Sequence, residues 1–323
     1  MGMTNEPNTP NESTEKTEGH DEIASVFLDG QFMNREDARL SAFDAGIQHG
    51  VGLFETLSAV STPDGIMIRD LDAHLDRLQS SAAVLGLSDE IKTGPLGEAI
   101  TETVRRARYK NTRVRLTLTG GDLNMLQTHG RTNHRPTVLI AAQPATEYPD
   151  EMFDKGVMVT LGQSRVNPLD PTAGHKTLNY WWRLRQLQDA AAKGAGESII
   201  FSVSNHLAGG CVSNLFVVDD GHLITPIAQG EEQDIGGAQT REGVLPSPVL
   251  PGITRMRVIE EAKKLGIKTT KRMMTIDDLL DADEVFLTNS SWGVLPVVKI
   301  EAEAIGAGVP GEITKKLRAA VVG

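Results

Sequence analysis

The stretch QPATEYPDEMFDKG, residues 143–156, combines prolines and acidic residues with no apolar periodicity, so it reads as a connection between two parts that each build a core. Ahead of it, SVFLDGQFM reads as two short strands around an Asp-Gly turn, and LFETLSAV and IMIRD read as further strands. Leu71, Leu75, Leu78, Ala82 and Leu85 recur at helical spacing, PLGEAITETVRRAR reads as a second helix, and RVRLTLTG and TVLIAA return to strand. Beyond it come VMVTLG, a helix through TLNYWWRLRQLQDAAAK, and strands in ESIIFSVS, CVSNLFVVDD and HLITP. A helix in ITRMRVIEEAKKLG, strands in DEVFLTN and VVKI, and a helix after Pro310 close the chain. This mixture predicts an α/β protein of the α+β kind. Residues 22–145 form a first α/β domain, 146–156 the connection, and 157–323 a second domain.

With 323 residues the chain is long enough for two such cores. Residues 1–21 hold little that burial could order and read as a disordered tail, and 228–248, acidic and Gly-rich, reads as a long surface loop. There are 32 Lys plus Arg against 43 Asp plus Glu, with no basic run, which argues against nucleic acid and anionic membrane as partners. The single cysteine, Cys211, excludes an internal disulfide framework and a Cys-based zinc site, and no metal is expected. No segment has the roughly 18 apolar residues of a membrane helix and the N-terminus is polar, so a cytoplasmic location is expected.

Lys176, in GHKTLNYWW beside His175, is either a surface lysine opening a helix or an amine whose lowered pKa would let it form a Schiff base. LPGITR places Pro251 and Gly252 before a helix beginning near Ile253, which is either a turn capped by Thr254 or an anion site made by free backbone N–H groups. Asn289, Ser290 and Ser291 end an apolar strand, as phosphate ligands or as turn residues. Tyr180 and Phe54 read alternatively as core. Arg115 sits in an apolar alternation that it would enter only if its charge were paired, so it either holds a substrate carboxylate or, with Arg113 on the same side, faces solvent.

Several segments in order, DAGIQHGVGLFETL, HLDRLQSSA, HKTLNY, SNLFVV, LPGITR, DEVFLTNSS and the final PV, resemble the class IV aminotransferases. These are fold-type IV pyridoxal phosphate enzymes that include branched-chain aminotransferases, D-amino acid aminotransferases and aminodeoxychorismate lyases. The resemblance spans Ile23 to the C-terminus. It implies a smaller N-terminal domain, a barrel-like C-terminal domain, pyridoxal 5'-phosphate between them, amino acid and 2-oxo acid substrates, and a homodimer. Lys176 matches the lysine that forms the Schiff base and shuttles the α-proton. Arg77, the N–H groups of Ile253 and Thr254, and the side chains of Thr254 and Ser290 match the phosphate site. Tyr180 matches an aromatic beside the cofactor, and Phe54, Arg115 and Ser291 are expected at the substrate.

One position departs from the pattern. The glutamate that pairs with the cofactor's ring nitrogen, five residues before Asn214, is Gly209 here. A carboxylate there keeps the ring protonated and electron-withdrawing, so its loss should slow transamination. The candidates to replace it are a water admitted by the missing side chain, His206 if the strand is irregular at Gly209–Gly210, and Cys211, which strict alternation puts on the same face but which reads more simply as a small buried hydrophobe. Three outcomes follow: an aminotransferase with an amino acid such as a branched-chain one, a lyase that releases pyruvate, or a cofactor-binding protein with lost or altered catalysis. Glutamate restored at 209 should raise turnover if the ring nitrogen is the defect.

Overall fold

The computed structural model describes residues 24–122, 135–232 and 245–322. The tail expected at 1–21 and most of the 228–248 loop lie outside the described residues.

The first sheet contains β1 (Val26–Leu28), β2 (Gln31–Met33), β3 (Gly52–Thr62), β4 (Gly65–Ile68), β5 (Asn111–Thr119) and β6 (Val138–Pro144). They lie in the order β2-β1-β6-β5-β3-β4, every pair antiparallel. Asp29 and Gly30 both take positive φ at the β1–β2 turn, as an Asp-Gly hairpin requires. One face carries helices α2 (Leu71–Val84) and α3 (Thr93–Ala107). Leu53 and Leu57 of β3, Val114, Leu116 and Leu118 of β5, Leu75 and Leu78 of α2, and Ile100 and Val104 of α3 fill the space between. Because side chains alternate along a strand, Phe54 and Thr56, and across the ladder Arg113 and Arg115, stand on the other face. A short helix α1 (Ala45–His49), absent from the sequence expectation, precedes β3 and is capped by Asp44, which accepts from Gly46 N at 2.7 Å.

The second sheet holds β7 (Val157–Val166), β8 (Glu197–Ser202), β9 (Leu207–Gly210), β10 (Asn214–Asp219), β11 (His222–Pro226), β12 (Thr269–Arg272), β13 (Glu284–Asn289), β14 (Gly293–Ile300) and β15 (Glu303–Ala304). Its order is β12-β11-β10-β13-β14-β7-β8-β9, with β15 on β14, and β9 curls back against β10 in barrel-like fashion. Leu215, Val217, Val285 and Leu287 pack inside it with Leu295 and Val297. Phe216 and Phe286 point to the opposite face, under α6 (Ile253–Lys264) and α8 (Glu312–Val322). Burial on both faces explains why LFVV and EVFL are continuous apolar runs rather than alternating ones. Helices α4 (Glu151–Asp154), α5 (Trp181–Ala192) and α7 (Ile276–Leu280) complete the chain.

Three local expectations are corrected. The helix expected through TLNYWW begins only at Trp181, because Thr177 is drawn into a bridge with Leu53. The strand expected through CVSNLFVVDD is broken, with β9 ending at Gly210 and β10 starting at Asn214. Strict alternation across Leu207–Cys211 fails where Gly209 takes φ +108° and the β8–β9 register shifts.

Candidate active site

A cavity of about 640 Å³ opens between the two sheets, in the range of small-molecule sites. It is lined by the nine residues expected at the cofactor or the substrate: Lys176, Arg77, Tyr180, Ile253, Thr254, Ser290, Phe54, Arg115 and Ser291.

Lys176 reaches the cavity because β4 pairs with β3 only over Ala59–Thr62 and leaves the other end of that edge open. Residues 176–178 take it: Phe54 N donates to Lys176 O at 2.9 Å, and Leu178 N donates to Gly52 O at 3.0 Å. The preceding turn is pinned by His175, whose Nδ1 lies 2.9 Å from Ser81 Oγ and whose Nε2 lies 3.0 Å from Gln229 Nε2. Since the amide nitrogen can only donate, the imidazole is neutral with its proton on Nδ1. The Lys176 Nζ stands 4.4 Å from the Phe54 ring centre and 5.5 Å from that of Tyr180. Desolvation, with Arg77 and Arg115 nearby, pushes the amine below the usual lysine value, against the opposing pull of Tyr180 and Glu55. Burial alone would raise the Tyr180 phenol, but the charges of Lys176 and Arg183 outweigh it and hold the phenol below its ordinary value.

At the α6 terminus, helix geometry leaves the first-turn N–H groups of Ile253 and Thr254 without intrahelical acceptors. The N-cap is Gly252, which supplies no side-chain cap, so Thr254 is not the capping residue and its hydroxyl remains available. A Cβ at Gly252 would overlap Asn214 Oδ1, and Asn214 Nδ2 donates to Leu250 O at 2.9 Å, so β10 sets the approach to this helix.

Arg77 is aimed by a partner the sequence reading missed. Glu55, on the helix-facing side of β3 between Leu53 and Leu57, is 1% exposed and receives Arg77 Nε at 2.9 Å and Nη2 at 2.6 Å. Arg77 Nη1 donates to Pro251 O at 2.9 Å, which ties the arginine to the loop before α6. His74 Nδ1 lies 2.7 Å from Glu55 Oε2, and its Nε2 lies 3.4 Å from Ser290 Oγ. Burial pushes the Glu55 carboxyl up, but Arg77 and His74 outweigh it and hold it at about 2.

Arg115 does not face solvent: its guanidinium stacks 3.7 Å from the Phe54 ring centre, and burial with the adjacent Arg113 charge lowers its pKa. Arg113 and Arg183, neither anticipated, also line the cavity, and among the described residues no carboxylate does. The wall is therefore strongly cationic in a chain of net charge −11. Ser291 lies at the rim in a turn where Asn289 Oδ1 accepts from Ser291 N and Trp292 N.

The match to known proteins gives the family of the chain. The sequence profile of the amino-transferase class IV family matches residues 52–300. The chain is a class IV aminotransferase. It is 28% identical to the branched-chain-amino-acid aminotransferase of Pseudomonas aeruginosa, over 91% of each protein. The fold superposes on the T.th. branched-chain amino acid aminotransferase with pyridoxamine 5'-phosphate, with TM-score 0.80, 29% identity and 92% of each chain covered. It also matches 4-amino-4-deoxychorismate lyase from Pseudomonas aeruginosa, with TM-score 0.74, 25% identity, and 91% and 97% of the two chains covered. This aminotransferase thus has the fold-type IV architecture, is a pyridoxal phosphate-dependent transferase, and acts on amino acids and 2-oxo acids. The residues present fit the cofactor: an amine held below its usual pKa, a helix terminus with unspent N–H groups, and guanidinium groups suited to a dianionic phosphate. Among the described residues no helix is long and apolar enough to cross a membrane.

The two side chains expected to replace the glutamate are engaged elsewhere, and position 209 is strained for any side chain. A Cβ on Gly209 would lie 2.7 Å from Ser213 O, and the backbone has φ +108°. Gly209→Glu is therefore expected to lower stability by about 1–3 kcal/mol and to leave turnover no higher, read by thermal denaturation and steady-state rate. His206 is no replacement, since it turns to Ser204 Oγ at 2.9 Å. Cys211 packs with Val166 and Ile200, and burial pushes its thiol up to about 12.

Proposed function

We propose that this aminotransferase moves the amino group of a branched-chain or similarly apolar amino acid to a 2-oxo acid, with Lys176 as the catalytic base. What carries this reading is the amine of Lys176, lowered in pKa and set between two aromatic rings in a cavity walled by cations. Bound pyridoxal phosphate supplies a carbonyl that accepts the amino group and a ring that withdraws electrons from the substrate α-carbon.

The chain's own groups do the rest. The N–H groups of Ile253 and Thr254, the hydroxyls of Thr254 and Ser290, and the N–H bonds of Arg77 not spent on Glu55 and Pro251 would hold the phosphate. Lys176, neutral when its proton is lost, would take the proton from the substrate α-carbon and deliver it to the cofactor carbon C4′. Tyr180, with its lowered phenol pKa, offers a partner to the cofactor oxygen or to Lys176. Phe54, with Tyr148, Met152 and Trp292, gives an apolar wall for the amino acid side chain. Arg115, with Arg113 and Ser291 close by, would hold a substrate carboxylate. Arg115→Ala is expected to raise KM for the 2-oxo acid roughly tenfold or more with a smaller change in kcat, as steady-state kinetics would read.

The two sheets support a division into domains 22–145 and 157–323 with 146–156 between them. Exposed Phe43, Ile47 and Trp181, at 69%, 60% and 81%, support a homodimer, which sedimentation would read. The lone Cys211 suits a reducing cytoplasm.

The test is a pair of assays on the cofactor-loaded protein: amino transfer from leucine, isoleucine or valine to 2-oxoglutarate, and pyruvate release from aminodeoxychorismate. Transfer without release is expected. Release without transfer would make it a lyase, and neither, with the cofactor bound, would leave a binding protein.

A further inference from the structure

Gly209 removes the carboxylate that the family pattern sets against the cofactor's ring nitrogen, and its backbone closes the position to any side chain. We propose that Arg183 takes this role, its guanidinium donating to the ring nitrogen and keeping the pyridine unprotonated. This rests on the reading that the cavity holds pyridoxal phosphate.

Arg183 is the third residue of α5 and lines the cavity beside the 209–213 turn. Its Nη1 donates to Cys211 O at 3.2 Å and to Gly210 O at 3.4 Å, long bonds to the residues that follow Gly209. The guanidinium also lies 4.6 Å from the Trp182 ring centre and 5.5 Å from that of Tyr180, so aromatic faces rather than a carboxylate hold it.

Two polar side chains near this wall, Glu197 and Asn289, are committed elsewhere, while the Thr288 hydroxyl, which also lines the cavity, is buried without a partner among the described residues. Glu197 lies behind the turn and accepts from Ser198 N at 2.9 Å, Cys211 N and Val212 N at 3.1 Å, and Ser213 Oγ at 3.0 Å. A Cβ on Gly210 would contact the Glu197 carboxyl, so the backbone screens that carboxylate from the cavity. Asn289 Nδ2 donates to Val212 O at 3.3 Å. The Cys211 side chain is buried against Val166 and Ile200.

A guanidinium has only donors and keeps its proton, so a ring nitrogen beside it serves as acceptor, and a second proton on that nitrogen would be repelled. The unprotonated ring withdraws fewer electrons from the substrate α-carbon. More of the barrier to proton removal then falls on the base, Lys176.

The experiment is nitrogen-15 NMR of the whole protein loaded with ring-labelled cofactor, run on wild type, Arg183→Gln and Arg183→Glu. In wild type the ring nitrogen is expected at its unprotonated shift across the neutral pH range. Arg183→Glu is expected to move it to the pyridinium shift, and Arg183→Gln to make it titrate. If the glutamate variant does not fold, titration in the glutamine variant carries the test. A pyridinium shift in wild type overturns the proposal even where amino transfer is intact, as does an unprotonated shift that neither variant alters. A wild-type protein that binds no cofactor overturns both this proposal and the functional reading beneath it.

Discussion

Lys176→Ala is expected to lower amino transfer by at least the roughly 10²–10⁴-fold that a positioned acid–base group supplies, while the protein still folds. The anchoring of this segment is main-chain: Phe54 N to Lys176 O and the Leu53–Thr177 bridge survive the truncation. The amine itself is unfavourably placed, desolvated and near the charges of Arg77 and Arg115, so its removal relieves repulsion. Function should fall while the melting temperature holds or rises. The cofactor should still bind through the phosphate site but without the visible band that covalent attachment gives. A variant that keeps both activity and band would show that another amine does the work.

Glu55→Gln is expected to cost about 3–5 kcal/mol, because it leaves the largely buried Arg77 guanidinium without its buried counter-charge. The pH dependence has a definite sign. Folding lowers the Glu55 carboxyl from 4.5 to about 2, so its contribution is fully present above the unfolded value and is lost as pH falls through about 2. The shift is worth on the order of 3 kcal/mol. Glu231, also held at about 2 as Arg255 and Lys271 outweigh its burial, adds to the same acid limb. Glu197 works against it, since burial raises its carboxyl and protonation then favours the folded state. Denaturation curves between about pH 2 and 7 should show a steeper acid loss in wild type than in Glu55→Gln. Cofactor affinity should fall as well, because Glu55 aims Arg77 at the loop before α6. Equal acid limbs would contradict this role for Glu55.

Local signals carried the reading where chemistry and neighbours along the chain coincide. The helical spacing from Leu71 to Leu85 placed Arg77 on α2, and Pro251-Gly252 marked the start of α6. Lys176 emerged from an ordered set of segments rather than from its own surroundings. What was missed depends on contacts distant in sequence. Glu55 shares the face of Leu53 and Leu57, and that alternation marks a charge on a core face in need of a partner, but only the fold brings His74 and Arg77 to it. The pairing of Arg113 with Arg115 on one face was legible, and its meaning was not, because the second sheet turns that face into a cavity wall. TLNY resembles a helix start, yet a strand edge left open by the short β4 draws it out. The positive φ of Gly209 follows from the way the β9–β10 turn closes on Ser213, so no spacing rule could show that a glutamate has no room there.

Reducing the cofactor-loaded protein with borohydride and mapping the modified peptide by mass spectrometry reads directly which lysine carries the cofactor. A single reduced phosphopyridoxyl group on Lys176 is the predicted result. Modification at another lysine, or none in a protein saturated with cofactor, would contradict the role of Lys176.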